Sequence, residues 1–376
     1  MSDRIQGNQL AYAGDTPWHG KGINIDDLVS QLKQGVLTQE QFNAKLLEAA
    51  SLDWTVQRRA IAMRQADGTG LVVDPLAGYR AIVRSDTDQV FQIATERYHP
   101  LQNAEVVDFF RAYCEAGHAT METLGAIDGG SKIFALAKLN GGSSTSIKGD
   151  DLRGYMLLAT SHDGSLQIVG KATQVRVVCW NTLSAALGLT GGRLGKKEAR
   201  EFRMKHTRKW TPAIASEAQK VMGMAVEQIQ RANEIASQLS HCNIDEQGRI
   251  EYVRRLLDGQ GLLEQVVSNT EPLPTTGLLD SVIDTHMLAS SEDPEKDLGR
   301  LGKHILEAIM TSPGSDLESA NNTLWGAVNG VTYHVDHERG RSQDTRLSAA
   351  WFGPGDKLKT QAVQVAVDMA GISVTR

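Results

Sequence analysis

The hydrophobic period changes once along this chain, and that change limits its fold more than any other feature. Up to about residue 192, short strand-like runs end in turn residues. Met121 to Ala126, Lys132 to Leu139, Gly154 to Ser161 and Ser165 to Gly170 are separated by Asp128-Gly129-Gly130, Asn140-Gly141-Gly142 and His162-Asp163-Gly164. Further on, Ile214, Ala218, Val221, Ala225, Ile229, Ala232, Ala236 and Leu239 step by three or four residues, the apolar stripe of a long helix. Hairpin-length connections imply antiparallel pairing rather than βαβ units. The expected fold is therefore α+β. A mainly antiparallel sheet core fills the N-terminal half, residues 1–192, and a long-helix, mostly α half follows over 193–376.

Local signals add detail. Thr38 and Gln41 have capping-box spacing at the head of a helix to Ala50, and Trp54 to Met63 alternates as a strand. Tyr79 to Arg84 and Gln89 to Ala94 form a hairpin, and Asn103 is the expected N-cap of a helix through Tyr113. Thr173 to Cys179 continues as a strand, and Asn181 to Leu189 reads as a helix closed by Gly191-Gly192. Helices are also expected over Tyr252 to Val267, after a Ser315/Glu318 capping box, and over Asp356 to Met369, with a linker at Ser268 to Pro274.

Composition matters chiefly through charge. The 376 residues carry 39 Lys and Arg against 45 Asp and Glu, a net charge of −6, which does not advertise a nucleic-acid binder. From Arg193 to Lys209, however, eight basic residues face two acidic ones, whereas His241 to Arg300 holds five basic and twelve acidic. The chain thus has a +6 waist and a −7 stretch. Lys171 and Arg176 precede the waist, and Trp180 and His206 are interleaved with it. Cations bind phosphate and aromatic rings stack on splayed bases. The alternative is a solvated helix start, or a tract that neutralises the acidic stretch.

Cys114, Cys179 and Cys242 are widely spaced and form no CxxC pair, which points to a reducing, cytoplasmic setting and away from a disulfide framework or zinc knuckle. No signal-peptide pattern and no run of about 18 apolar residues occurs, so export and membrane partners are not expected. Phosphate-binding glycine loops, a Gly-x-Ser-x-Gly elbow and His-Glu-x-x-His are absent from the sequence, and no cofactor is expected. His162, Asp163, Asp336 and His337, with His19 and His99, are the candidate metal ligands; a hairpin turn and a helix end account for the first four equally well. Cys179 beside Asn181 offers either a nucleophile or a buried structural thiol.

Several ordered motifs carry a resemblance. Thr16-Pro17-Trp18-His19-Gly20, Leu52-Asp53-Trp54, Arg97-Tyr98-His99-Pro100-Leu101-Gln102-Asn103, Val178-Cys179-Trp180-Asn181-Thr182-Leu183, His206-Thr207-Arg208 and Ala350-Trp351-Phe352-Gly353 follow one another through nearly the whole chain. In this the chain resembles the phage/plasmid-like proteins whose shared domain is of unknown function. Trp180 departs from that pattern, where a smaller or polar residue is expected. The resemblance implies a bacterial phage or plasmid context and supplies no catalytic residues. In broad outline the layout is also similar to phage single-strand annealing proteins, an analogy at the level of fold.

The expectation is a cytoplasmic, non-enzymatic protein that binds nucleic acid, single-stranded DNA above all, and anneals strands in recombination. Its contacts would be Lys171, Arg176, Trp180, Arg193, Lys196, Lys197, Arg200, Arg203, Lys205, Arg208 and Lys209. Two alternatives stand beside it: a metal-dependent enzyme acting on nucleic acid or a nucleotide, and a phage protein that binds a host defence or replication partner through its acidic half. The sequence leaves open whether the chain forms homo-oligomers.

Overall fold

In a computed structural model, the structure describes residues 9–14, 22–64, 71–73, 78–141, 144–177, 181–184, 201–223, 225–258, 298–339, 349–351 and 353–372. The N-terminal part runs β1 (Leu10–Tyr12), β2 (Ile23–Asn24), α1 (Asp26–Lys33), α2 (Gln39–Ala49), β3 (Val56–Arg59), β4 (Ala62–Arg64), β5 (Leu71–Val73), β6 (Tyr79–Arg84), β7 (Val90–Thr95), α3 (Asn103–Asp108) and α4 (Arg111–Glu115). Then come the long strands, β8 (Ala119–Ile127), β9 (Lys132–Leu139), β10 (Thr145–Ile147), β11 (Asp150–Ser161), β12 (Ile168–Arg176), β13 (Asn181–Ser184) and β14 (Glu201–Met204). The chain closes with α5 (Pro212–Gly223), α6 (Ala225–Leu239), α7 (Glu246–Asp258), α8 (Gly299–Thr311), α9 (Leu324–Tyr333) and α10 (Pro354–Ala370). Among the described residues, no helix is long and apolar enough to cross a membrane.

The main sheet runs β13-β12-β11-β9-β8-β1-β2, with β10 added to β11 and β14 to β12. Among the described residues, only β1 and β2 pair in parallel within it. Its faces are both covered. Leu136, Tyr155, Leu157 and Val175 pack in one cluster with Tyr252, Ile305, Trp325 and Leu358 from the C-terminal helices. Ala135, Ala137, Met156, Leu158 and Ala172 pack in another with Phe42, Leu46, Val106 and Phe110 from α2 to α4. The α+β expectation holds, but the helical half does not merely follow the sheet. Its helices from the end of α6 onward cover one face, while α5 and the start of α6 pack with the N-terminal helices on the other. Sheet strands covered on both sides read as near-continuous apolar runs, as Met156 to Ala159 does.

The Thr38 capping box forms as expected: Gln41 N donates to Thr38 Oγ1 at 3.2 Å and Thr38 N donates to Gln41 Oε1 at 2.9 Å. Other termini differ from the sequence reading. Gln102, not Asn103, caps α3, because its backbone N–H donates to Glu105 at 2.8 Å while Asn103 is drawn inward. Thr323 caps α9, its hydroxyl accepting from Gly326 N at 3.1 Å, so Ser315 and Glu318 precede that helix rather than open it. The expected helix from Asn181 begins instead as a strand, since β13 finds a partner in β12. The expected long helix over 214–239 is carried by α5 and α6.

The β12 edge positions the site. Arg176 pairs with Asn181 and Thr173 with Ser184 on that edge, and further along it Lys171 pairs with Glu201 and Ile168 with Met204. β13 and β14 therefore share one edge and one direction. β13 ends at Ser184 and β14 begins at Glu201, so β14 carries the end of the basic waist to the far end of β12.

Candidate nucleic-acid interface

β14 buries Phe202 and Met204 against the sheet, so its alternate residues face outward. The strand ends in a turn in which Arg208 N donates to Lys205 O at 3.1 Å. Lys205, Arg208 and Lys209 are exposed there.

A second segment is bound to this turn. His99 N donates to His206 O at 2.6 Å, while the His206 ring lies 3.2 Å by Nδ1 from His99 O and 3.1 Å by Nε2 from Leu166 O. Tyr98 stacks on the His206 ring at 4.8 Å between centroids and donates its hydroxyl to Ser161 O at 2.8 Å. Next to it, Asn103 Nδ2 donates to Leu52 O at 3.0 Å and Trp54 O at 3.2 Å. Asn103 Oδ1 is left to accept from His162 Nε2 at 3.1 Å, which assigns the ring proton to Nε2. The motifs at 52–54, 97–103 and 206–208, far apart in sequence, thus meet in one polar knot.

Around the knot lies a cleft of about 260 Å³, lined by Arg58, His99, Gln102, Glu105, Lys209 and Trp210 among others. Gln102 builds its wall: Val56 N donates to Gln102 Oε1 at 2.9 Å and Gln102 Nε2 donates to Val56 O at 3.1 Å, which ties β3 to the start of α3. Two titrations register the cleft's cations. Burial and then the Arg58 and Lys209 charges hold the His99 imidazole below its usual value. Burial pushes the Glu105 carboxyl up, against the pull of the Gln102 N–H and Lys209.

Many cations of this acidic chain sit beside a carboxylate, as in Arg59–Asp88, Arg80–Glu96, Lys132–Asp128 and Lys359–Asp336. Lys205, Arg208 and Lys209 have no carboxylate partner among the described residues, and Arg58 reaches only the Glu96 backbone oxygen, at 3.1 Å. The cleft's one carboxylate, Glu105, interacts with Lys209 without forming an ion pair, and cations that outnumber carboxylates next to an aromatic wall attract a polyanion.

The family model described as Domain of unknown function (DUF932) matches residues 90–351, more than half of the chain. The chain belongs to this family. No curated protein and no solved structure matches it. The DUF932 match takes in the 97–103 segment, Glu105, the 205–209 turn and Trp210, whereas Arg58, on β3, lies before it. Most of the cleft's lining therefore lies within the matched segment, and β3 completes it from outside the match.

The residues expected from sequence to contact phosphate separate into four groups. Lys205, Arg208 and Lys209 share the exposed turn, whose last residue lines the cleft. Arg203 is exposed, but its guanidinium is bound by Glu201. Trp180, Arg193, Lys196, Lys197 and Arg200 lie outside the described residues, as do Cys179 and His19. Lys171 and Arg176 need correction: they are 3% and 2% exposed, one bound to Trp351 O at 2.5 Å and Asp356 at 3.2 Å, the other to Asp150 at 2.7 Å. Charges enclosed in this way cannot meet a strand of nucleic acid. Their helical cover, contributed by residues more than a hundred positions away, is what the local pattern could not reveal.

The four candidate metal ligands do not come together. Asp163 caps the turn between β11 and β12, accepting from Ser165 N at 2.9 Å, and His162 is buried. Asp336 and His337 lie in a short π-helical turn, where Asp336 binds Lys359 at 2.8 Å. No group of three or more His, Cys, Asp or Glu fit to hold a metal occurs among the described residues. Burial pushes the Cys114 thiol up to about 11. Sequence reasoning missed Arg58, Glu105 and Trp210. Gln102 and Glu105 have capping-box spacing directly after a quoted motif, and Trp210 directly follows Lys209, so the signals were present.

The knot also fixes an acid limit on stability. Burial first, and then the neighbouring His206, lower the His162 imidazole to about 3, with Asp163 opposing. The unfolded chain binds that proton near pH 6.5, so stability is complete above 6.5 and is lost progressively as pH falls towards 3. At pH 5 the loss from this group is about 2 kcal/mol. Melting temperatures at about pH 7.5 and 5 should differ less in His162→Gln than in the wild type; an unchanged difference contradicts the assignment.

Proposed function

We propose that this DUF932 protein binds single-stranded nucleic acid along the turn that follows β14, with Lys205, Arg208, Lys209 and Arg58 holding the phosphates. The observation that carries this reading is the gathering of four cations that form no ion pair among the described residues, against the single carboxylate of Glu105, on this turn and its cleft, in a chain with a net charge of −6. A double helix needs a protruding element to enter its groove, whereas a shallow cationic cleft beside an aromatic ring suits a single strand. The rest of the basic waist, Arg193, Lys196, Lys197 and Arg200, directly precedes β14 in sequence. The resemblance of its motif order to phage/plasmid-like proteins supports a nucleic-acid transaction in the bacterial cytoplasm, and the analogy of layout with single-strand annealing proteins is what favours strand annealing in recombination.

Titration of a fluorescent oligonucleotide with the purified chain tests this. Binding should be measurable at low salt, and log K should fall linearly with log salt, with a slope of about −3 for four phosphates on a single strand. No binding at low salt, or binding insensitive to salt, overturns the proposal.

A further inference from the structure

The cleft holds one hydrogen-bond acceptor whose position the fold has fixed. Glu105 Oε2 accepts from Gln102 N at 2.8 Å, which locks the carboxylate at the head of α3. Its other oxygen, Oε1, has no hydrogen-bond partner among the described residues, and the side chain lines the cleft. Gln102 is held in place on both ends of its amide by the Val56 backbone, which leaves one amide hydrogen to face the cleft. Across the same space stand the Arg58 and Lys209 cations and the Trp210 ring, itself held edge-on to Phe109 at 6.2 Å and Phe202 at 6.0 Å. Cation, aromatic wall and lone acceptor are the three elements that recognise a nucleotide by phosphate, base plane and base edge.

The volume, about 260 Å³, lies below the roughly 300–1,000 Å³ of pockets for drug-sized ligands, so one base enters and not a stacked pair. We propose that the cleft seats a single nucleotide of the bound strand, with its phosphate between Arg58 and Lys209 and its base against Trp210. Glu105 Oε1 accepts a hydrogen bond from the exocyclic amino group of that base. Cytosine and adenine supply such a donor. Thymine and uracil instead place a carbonyl oxygen at that position, which faces the carboxylate with like polarity. The chain therefore discriminates among single strands against thymine and uracil, a property that electrostatic binding to phosphate does not confer.

This inference rests on the single-strand reading, and the experiment separates the two. Dissociation constants of the full chain for oligo(dC), oligo(dA) and oligo(dT) of equal length are measured at one salt concentration, for wild type and Glu105→Gln. In E105Q the new amide oxygen still accepts from Gln102 N, while the amide nitrogen donates to a thymine carbonyl. Wild type should bind oligo(dC) and oligo(dA) about five-fold or more tighter than oligo(dT). In E105Q that ratio should fall to near one or invert, whatever general gain follows from removing a negative charge. Equal wild-type affinities for the three oligomers, or a ratio unchanged in E105Q, overturn the base selection and leave the electrostatic reading standing. Absence of binding to every oligomer overturns both.

Discussion

Asp150→Ala should lower the stability of this protein by about 3–5 kcal/mol, the loss expected when one partner of a buried ion pair is removed. Asp150 is fully buried at the start of β11. It accepts from Arg176 Nε at 2.8 and 2.7 Å, from Ser319 Oγ at 3.1 Å and from Trp325 Nε1 at 3.0 Å. Arg176 in turn donates to Gly314 O at 2.9 Å and Pro313 O at 3.4 Å. One carboxylate therefore joins two strands to the α8–α9 connection and to α9. Its removal strands a guanidinium, a hydroxyl and an indole N–H without their acceptor in a dry interior. Against a total stability of about 5–15 kcal/mol the change is large, and denaturant titration reads it directly. Replacing Arg176 by Met in the same chain should recover part of the loss, because the stranded charge goes with it. A loss below about 1 kcal/mol in the single variant would show that the network does not bind sheet to helices.

Reversing the turn cations has the largest expected effect on binding. In Lys205→Glu, Arg208→Glu, Lys209→Glu the turn loses three positive charges and gains three negative ones. Three phosphate contacts disappear and repulsion replaces them, so affinity for an oligonucleotide at low salt should fall by about 100-fold or more. The three side chains are exposed and have no carboxylate partner among the described residues, so the melting temperature should move little. Exposed surface changes of this kind are commonly within about 0.5 kcal/mol. A variant that folds normally and binds as tightly as the wild type places the interface elsewhere.

The two sets of charges explain what could be read without a structure. In β12, Lys171 and Arg176 are five residues apart and project from opposite faces of the strand, and neither carries a local sign of burial. Reading them as phosphate contacts presumes solvent around both. Here elements distant in sequence enclose them, and the partners Asp150 and Asp356 come from the start of the preceding strand and from a helix 185 residues after Lys171. A sequence carries the sign of a charge and not its depth. Lys205, Arg208 and Lys209 follow the last buried residue of a short edge strand, and all three side chains are exposed.

The same contrast holds for backbone structure. The hairpin of β6 and β7 and the capping box at Thr38 rest on residues close in sequence, and both form. Asn181 to Ser184 carries helical signals but becomes β13, because the open edge of β12 offers backbone partners that the local pattern cannot register. The cleft is legible only in fragments. Its motif residues at 98–103 and 206–208 stand out, yet their convergence depends on the His99–His206 bridge across the sheet end. Arg58 and Trp210 gain significance only once that bridge brings them to the same space.

The central claim is that Lys205, Arg208 and Lys209 hold phosphates, and the salt dependence of binding tests it most directly. Oligonucleotide affinity is measured for the wild type and for Lys205→Ala, Arg208→Ala, Lys209→Ala across a salt series, and log K is plotted against log salt concentration. Each phosphate contact on a single strand contributes about −0.7 to the slope. The wild-type slope should be steeper than that of the triple variant by about 2. Equal slopes would show that these three cations touch no phosphate and would contradict the account.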